Sequence, residues 1–136
     1  MPSHQTLVPT LRYGDANEAI RWLANAFGLT EHFVVRNDDG QVVHAQLSWR
    51  GSLVMLGDVR GDVYDLPHRH GSLSLTAESA AQVDELFERC RAAGARVVQP
   101  VVDTEYGSHA FTVADYEGNH WHFGTYDPLA ESAGEN

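Results

Sequence analysis

The sequence predicts an α+β protein built from two tandem βαβββ modules. Two segments have helical spacing of apolar residues, and each begins at a capping residue, Asp15 or Ser79, and ends at a glycine. One strand-like run precedes each helix and three follow it, so the same order occurs twice. A single helix covers only one face of a four-stranded sheet. The sequence therefore predicts two curved mixed sheets around a cup, with the helices on the outer face.

The first module is predicted over about residues 6–58. It opens with the strand-like run "TLVPTLRY", after which Asp15 can cap a helix, with Glu18 at the capping-box position and Gly28 as the end of that helix. The runs "LTEHFVVR", "VVHAQLSWR" and "SLVMLGD" then predict a three-stranded meander, with turns at "NDDGQ" and near Gly51.

The second module is predicted over about residues 71–127. The run "GSLSLTA" predicts a strand, and Ser79 is expected to cap a helix that ends at Gly94. The runs "RVVQPVVD", "SHAFTVAD" and "HWHFGTY" predict three further strands. A linker at 59–70 and a polar tail at 128–136 complete a single domain covering 1–136.

Composition excludes several classes of protein. A chain of 136 residues with 43% hydrophobic and 21% charged residues indicates a globular domain. No apolar run approaches the ~20 residues of a membrane helix, and the N-terminus lacks the pattern of a secretory signal, so we expect a cytoplasmic protein with no membrane partner. Cys90 has no second cysteine to pair with and falls on an apolar helix face, which favours a buried hydrophobic role.

The negative net charge indicates which classes of partner the protein can bind. Nine Lys and Arg residues against 19 Asp and Glu residues give a formal charge of −10. Nucleic-acid surfaces need clustered cations, so we expect no nucleic-acid partner. The acidity either confers solubility alone or attracts a cationic small molecule to a groove.

Three stretches resemble one family. The segments "LRYGDANEAIRWLANAFGL", "HAQLSWRGSLVMLGD" and "YGSHAFTVADYEGNHWHFGTY" are similar to the vicinal oxygen chelate superfamily, which includes glyoxalase I, bleomycin-resistance proteins and extradiol dioxygenases. The resemblance covers about residues 6–127 and is greatest to the small single-domain members. It implies a homodimer, and a function that ranges from isomerase or dioxygenase to drug sequestration without chemistry.

The resemblance also implies where a metal would bind. Metal-dependent members hold a divalent ion with one His, Glu or Gln from each of four strands, roughly the first and the last of each half. In this chain the corresponding positions are assigned to Val8, Gln46, Ser72 and His122. Since three or four good donors are normally needed, we expect the usual metal site to be broken and no cofactor to be bound.

Histidines on two strands leave three interpretations open. Residues two apart in a strand share a face, so His44 and Gln46 share one face, as do His120 and His122. The three imidazoles could converge on zinc, nickel, iron or manganese at a relocated site. They could instead line a pocket and hydrogen-bond a ligand, or be solvated on an open sheet face.

Two functions follow from these observations. The first is a protein that binds a small organic molecule, with a cationic ligand as one option, through His44, Gln46, Ser72, His120, His122 and the loop residues Glu105 and Tyr106. The alternative is a metal-dependent or acid–base lyase, isomerase or dioxygenase, in which Glu105 and His122 are the catalytic candidates and a relocated His cluster holds any metal.

Overall fold

The computed structural model describes residues 5, 7–63, 65 and 70–128, and the chain divides into two compact units after Gly71. Each unit contains one four-stranded mixed sheet and one helix, which confirms the predicted α+β class and the tandem βαβββ order. Within the predicted linker, residues 64 and 66–69 lie outside the described part of the chain, as do residues 129–136 of the predicted tail.

Unit 1 follows the predicted order. Its elements are β1 (Thr10–Tyr13), α1 (Ala16–Phe27), β2 (Thr30–Arg36), β3 (Val42–Trp49) and β4 (Ser52–Asp58). The sheet order is β1-β4-β3-β2, with β1 parallel to β4 and the other pairs antiparallel. The first strand is shorter than the eight-residue run expected, since it begins at Thr10 after Pro9, a residue that lacks a backbone N–H for a ladder.

The capping residues of α1 explain where the helix begins and ends. Asp15 accepts a hydrogen bond from the Glu18 backbone N–H at 3.1 Å, and Gly28 adopts the left-handed conformation at φ 78° that ends the helix. Buried Ile20, Leu23 and Phe27 recur at helical spacing and form the face that packs against the sheet.

Unit 2 repeats the topology. Its elements are β5 (Ser72–Thr76), α2 (Ala80–Ala92), β6 (Arg96–Asp103), β7 (His109–Ala114) and β8 (His120–Gly124), in the sheet order β5-β8-β7-β6. Here β5 is parallel to β8, whereas β6, β7 and β8 form an antiparallel meander.

Aromatic rings join α2 to its sheet. The Phe87 ring of the helix lies 5.2 Å from the Phe111 ring of β7, which stacks on Phe123 of β8 at 5.3 Å. Strand alternation predicts that Trp49 and Trp121 face the helices and belong to the core. Trp121 lies on the same side of β8 as Phe123 and is fully buried, whereas Trp49 in unit 1 is only half-buried. The helix therefore covers one face of the sheet and leaves the opposite face to the polar residues of β8.

Two further expectations concern Cys90 and membrane-spanning helices. Cys90 is buried on α2, and burial raises the pKa of its thiol to about 12, so it acts as an apolar core residue. Among the described residues, no helix combines the length and the apolar character that crossing a membrane requires.

Candidate functional site

The face of the second sheet opposite α2 carries hydroxyl and imidazole groups; we call it the open face of unit 2. Strand register brings these groups together, because directly paired residues point to the same side. Ser72 pairs with His120 and Ser74 pairs with His122 across β5 and β8, and Thr112 of β7 pairs with His122 from the other side. His120 and His122 of β8 therefore share this face, as alternation along the strand predicts.

His122 lies at the centre of this face. Its Nδ1 atom lies 2.8 Å from the Thr112 hydroxyl oxygen. Burial lowers the pKa of the imidazole, because desolvation disfavours its charged form. The side chain is thus a half-buried ring that favours the neutral state and is oriented by a neighbouring strand.

A buried carboxylate fixes the turn that precedes β8. Asp115 accepts hydrogen bonds from the backbone N–H groups of Glu117 and Asn119, each at 3.0 Å, and from the Trp121 indole N–H at 3.1 Å. Gly118 takes the positive φ of 99° that this turn needs. The sequence string from Asp115 to Trp121 therefore sets the position of β8 and of its histidines.

Unit 1 presents a different open face, on the side opposite α1. The Gln46 amide nitrogen lies 3.0 Å from Nε2 of His44, and the Phe33 ring lies 6.3 Å from the His44 ring. Gln46 pairs with Met55 of β4, which pairs in turn with Thr10 of β1. This face therefore combines one imidazole and one amide with apolar and thioether groups.

The register corrects one assignment of the implied metal positions. The strand that lies parallel to β1 is β4, so Gln46 on β3 is one strand further away. Counting back two positions from Gly57 in β4 and from Gly124 in β8, the residue of unit 1 that corresponds to His122 is Met55.

The donor set at these positions does not fit a hard or borderline divalent ion. Val8 has an aliphatic side chain, Met55 offers a thioether, and the β5 positions offer the hydroxyls of Ser72 and Ser74. His122 alone supplies a side chain of the kind that zinc, nickel, iron or manganese prefers in proteins. These positions therefore offer too few suitable donors for a catalytic metal ion.

The relocated histidine cluster stays a prediction. His44 belongs to unit 1, whereas His120 and His122 belong to unit 2. Among the described residues, the structure brings together no group of three or more His, Cys, Asp or Glu side chains that could hold a metal ion.

Glu105 and Tyr106 lie in the turn between β6 and β7, as expected. Both side chains are exposed, and the Tyr106 ring meets the Tyr126 ring edge-on at 5.2 Å. The Glu105 carboxylate is solvated, and its roles as general base or cation partner stay predictions.

Sequence reasoning missed two residues that the structure places in prominent contacts. Thr112 is the hydroxyl partner of His122, and the hairpin turn at 115–119 gave the signal, since residues equidistant from its centre pair across the strands. His109 lies on the helix-facing side, with Nε2 at 2.8 Å from Asp84 and Nδ1 at 2.7 Å from Asp103. Hydrogen bonds to the Asp84 and Asp103 side chains raise the pKa of this imidazole.

Comparison with known proteins gives one family. The model of the Glyoxalase/Bleomycin resistance protein/Dioxygenase superfamily matches residues 4–123. An uncharacterized protein of Mycobacterium tuberculosis is 35% identical over 129 residues, covering 87% of this chain and 72% of its own length. An uncharacterized protein of Mycobacterium bovis is also 35% identical over 129 residues, with 81% of its length covered.

Solved structures share the fold. TioX from Micromonospora sp. ML1 superimposes with a TM-score of 0.76 at 31% identity, covering 89% of this chain and 98% of that protein. Lactoylglutathione lyase from Agrobacterium tumefaciens gives a TM-score of 0.67 at 22% identity, with 91% and 95% coverage. The fosfomycin resistance protein FosX from Listeria monocytogenes gives 0.63 at 15% identity, with 94% and 95% coverage. The last two likenesses concern the fold alone.

Proposed function

This chain belongs to the Glyoxalase/Bleomycin resistance protein/Dioxygenase superfamily, and we propose that it binds a small organic molecule against the open faces of its sheets, without the metal site of metal-dependent members. The observation that carries this proposal is the open face of unit 2. There, Ser72 and Ser74 are exposed beside the two half-buried histidines of β8. Such groups suit the few fixed polar contacts that orient a ligand in an otherwise apolar pocket.

The ligand is an organic molecule of mixed character. On the open face of unit 1, the exposed Phe33 ring and the Met55 side chain lie on the same side as His44 and Gln46, so that face by itself offers apolar as well as polar contacts. The formal charge of −10 favours a cationic ligand over an anionic one, since it raises the local concentration of cations around the protein.

A second copy of the chain is part of this proposal. The edge strands β2 and β6 carry exposed apolar side chains, among them Phe33, Val35, Val98 and Val102. Edge strands with exposed apolar residues are surfaces that proteins commonly cover by association. A homodimer is therefore the assembly we propose for the ligand-binding form.

Binding to metal-free protein tests the proposal. The protein is dialysed against a chelator, its metal content is measured by elemental analysis, and metal-free bleomycin, a bulky cationic probe, is titrated by calorimetry. We expect saturable binding that weakens as salt is raised, because the attraction between charged groups is screened. His122→Ala should weaken binding about tenfold, the loss of roughly one hydrogen bond, at an unchanged melting temperature.

His32 provides the matched control, because it is an exposed histidine on the edge strand β2. His32→Ala should leave bleomycin binding unchanged. If binding occurs only after zinc, nickel, iron or manganese is restored in stoichiometric amount, the proposal is wrong. The alternative lyase, isomerase or dioxygenase function would then be favoured.

A further inference from the structure

One ring nitrogen of His122 is hydrogen-bonded within the sheet, and the other has no partner among the described residues. The Thr112 hydroxyl oxygen lies 2.8 Å from Nδ1, and the two residues are directly paired across β7 and β8. Fixing Nδ1 to a neighbouring strand sets the rotation of the ring about its side-chain bonds. The free nitrogen, Nε2, therefore has a defined position.

Gly124 provides the space beside that nitrogen. A Cβ atom built on Gly124 would lie 3.5 Å from Nε2 of His122, 3.1 Å from the Ala110 Cβ and 2.6 Å from the Ser108 hydroxyl oxygen. The backbone of Gly124 is not in the left-handed region, so other residues could adopt its conformation. The glycine is needed at this point for space, because an alanine Cβ would fill the space beside Nε2 at an ordinary contact distance and would force the Ser108 hydroxyl to move.

Nε2 has no hydrogen-bond partner among the described residues. In the same part of the chain, no side-chain nitrogen or oxygen is both buried and without a partner. Nε2 must therefore reach solvent. A half-buried ring with one fixed and one accessible nitrogen is suited to making a single directional hydrogen bond.

The Thr112 hydroxyl decides which nitrogen carries the proton. In the described part of the chain, His122 is the one hydrogen-bond partner of this hydroxyl. If Nδ1 donated to the hydroxyl oxygen, the hydroxyl hydrogen would have no acceptor among the residues that the structure describes. If the hydroxyl donates to Nδ1, only oxygen lone pairs go unused, which costs less. The second arrangement places the imidazole hydrogen on Nε2.

We propose that Thr112 positions the His122 ring and that Gly124 leaves open the space beside Nε2, so that the Nε2–H is presented as a donor to an oxygen atom of the ligand. The ligand class is thus an organic molecule with a carbonyl, carboxamide or carboxylate oxygen at this point. The tautomer is a property of the chain alone, whereas its use in recognition rests on the proposed function.

A metal ligand would need the opposite tautomer. A metal binds the lone pair of a ring nitrogen, so ligation by Nε2 would place the hydrogen on Nδ1, where it would donate to Thr112. The position of one proton therefore distinguishes a donor to ligand oxygen from a metal-binding histidine.

Nitrogen NMR of the intact ¹⁵N-labelled protein, free of ligand and metal, tests the tautomer. At pH 8 an imidazole of ordinary pKa, about 6.5, is neutral. We expect Nε2 of His122 to be protonated and Nδ1 to be unprotonated and hydrogen-bonded. Thr112→Val should return the Nδ1 chemical shift toward that of a free imidazole, and Thr112→Ser should restore it. A proton on Nδ1, or no response to Thr112→Val, would overturn the proposal.

Calorimetry with metal-free bleomycin tests the role in recognition. Gly124→Ala should weaken binding about tenfold, as expected for the loss of one hydrogen bond. Gly57→Ala is the matched control, because Gly57 follows Met55 by two positions in β4 as Gly124 follows His122 in β8. Its added Cβ would meet the Val43 and Val42 carbonyl oxygens at 3.3 and 3.6 Å and the Arg12 side chain at 3.7 Å. If Gly124→Ala and Gly57→Ala changed the affinity for bleomycin equally, the role proposed for Gly124 would be refuted. If bleomycin does not bind at all, the proposed function fails, while the tautomer measurement still decides the role of Thr112.

Discussion

Removing the Asp115 carboxylate should destabilise the protein strongly. This side chain is buried and accepts hydrogen bonds from two backbone N–H groups, at Glu117 and Asn119, and from the fully buried Trp121 indole. A hydrogen bond to a charged group contributes roughly 1.5–3 kcal/mol, and such bonds are not additive within one network. Asp115→Ala leaves these three donors and the Asn119 side-chain amide, which donates to the same carboxylate at 3.2 Å, without their acceptor, so we expect a loss of about 3–5 kcal/mol.

Urea denaturation followed by tryptophan fluorescence measures this loss, and thermal unfolding should show a fall in melting temperature of roughly 10–20 °C. Asn37→Ala is the matched control. Asn37 opens the turn between β2 and β3 and accepts from the backbone N–H groups of Asp39 and Gln41, each at 3.0 Å, but it is exposed. Water can replace its contacts, so we expect a loss of about 0.5–1 kcal/mol.

The Trp121 contact can be separated by a double-mutant cycle. Trp121→Phe removes the indole N–H, and its coupling with Asp115→Ala should be about 1–2 kcal/mol. A loss below about 1 kcal/mol for Asp115→Ala, close to that of Asn37→Ala, would refute the view that this carboxylate organises the turn before β8.

Two further predictions concern ionisable side chains. Hydrogen bonds to the Asp84 and Asp103 side chains raise the pKa of His109, so its stabilisation is fully present below about pH 6.5 and is lost as pH rises through the raised value. The free energy of unfolding should therefore fall less between pH 6 and pH 9 in His109→Gln than in the wild type, and parallel curves would contradict this. Cys90, with a pKa of about 12, should resist a thiol reagent at pH 8 in the native protein and react fully in denaturant; rapid native reaction would show that the thiol is accessible.

Local signals were sufficient to predict the fold of each unit. The caps at Asp15 and Ser79 and the alternation of apolar residues in β3 and β8 depend on neighbours in sequence, and the structure confirms them. The burial of Trp49 was overestimated. Strand alternation predicts which side a residue faces, but not how far the neighbouring chain extends over it.

The site was less accessible to sequence reasoning because it depends on strand order. The shared face of His120 and His122 follows from alternation alone, and the contact with Thr112 could have been found by counting outward from the turn. The contact of His109 with Asp84 could not, since Asp84 comes from a helix whose rotation against the sheet is set by tertiary packing. The placement of Gln46 failed for a related reason, because the strand that pairs with β1 is a matter of topology.

The two units repeat the same backbone topology but carry different side chains at corresponding positions. Both units have a glycine in the last strand, Gly57 or Gly124, but the residue two positions earlier is Met55 in unit 1 and His122 in unit 2. The partner on the parallel strand is a hydroxyl residue in both cases, Thr10 or Ser74. Topology and register thus come from the duplicated pattern of caps, turns and apolar faces, whereas the hydrogen-bonding character of each open face depends on one side chain. For this reason substitutions at His122, Thr112 and Gly124 should alter ligand binding far more than substitutions at the corresponding positions of unit 1.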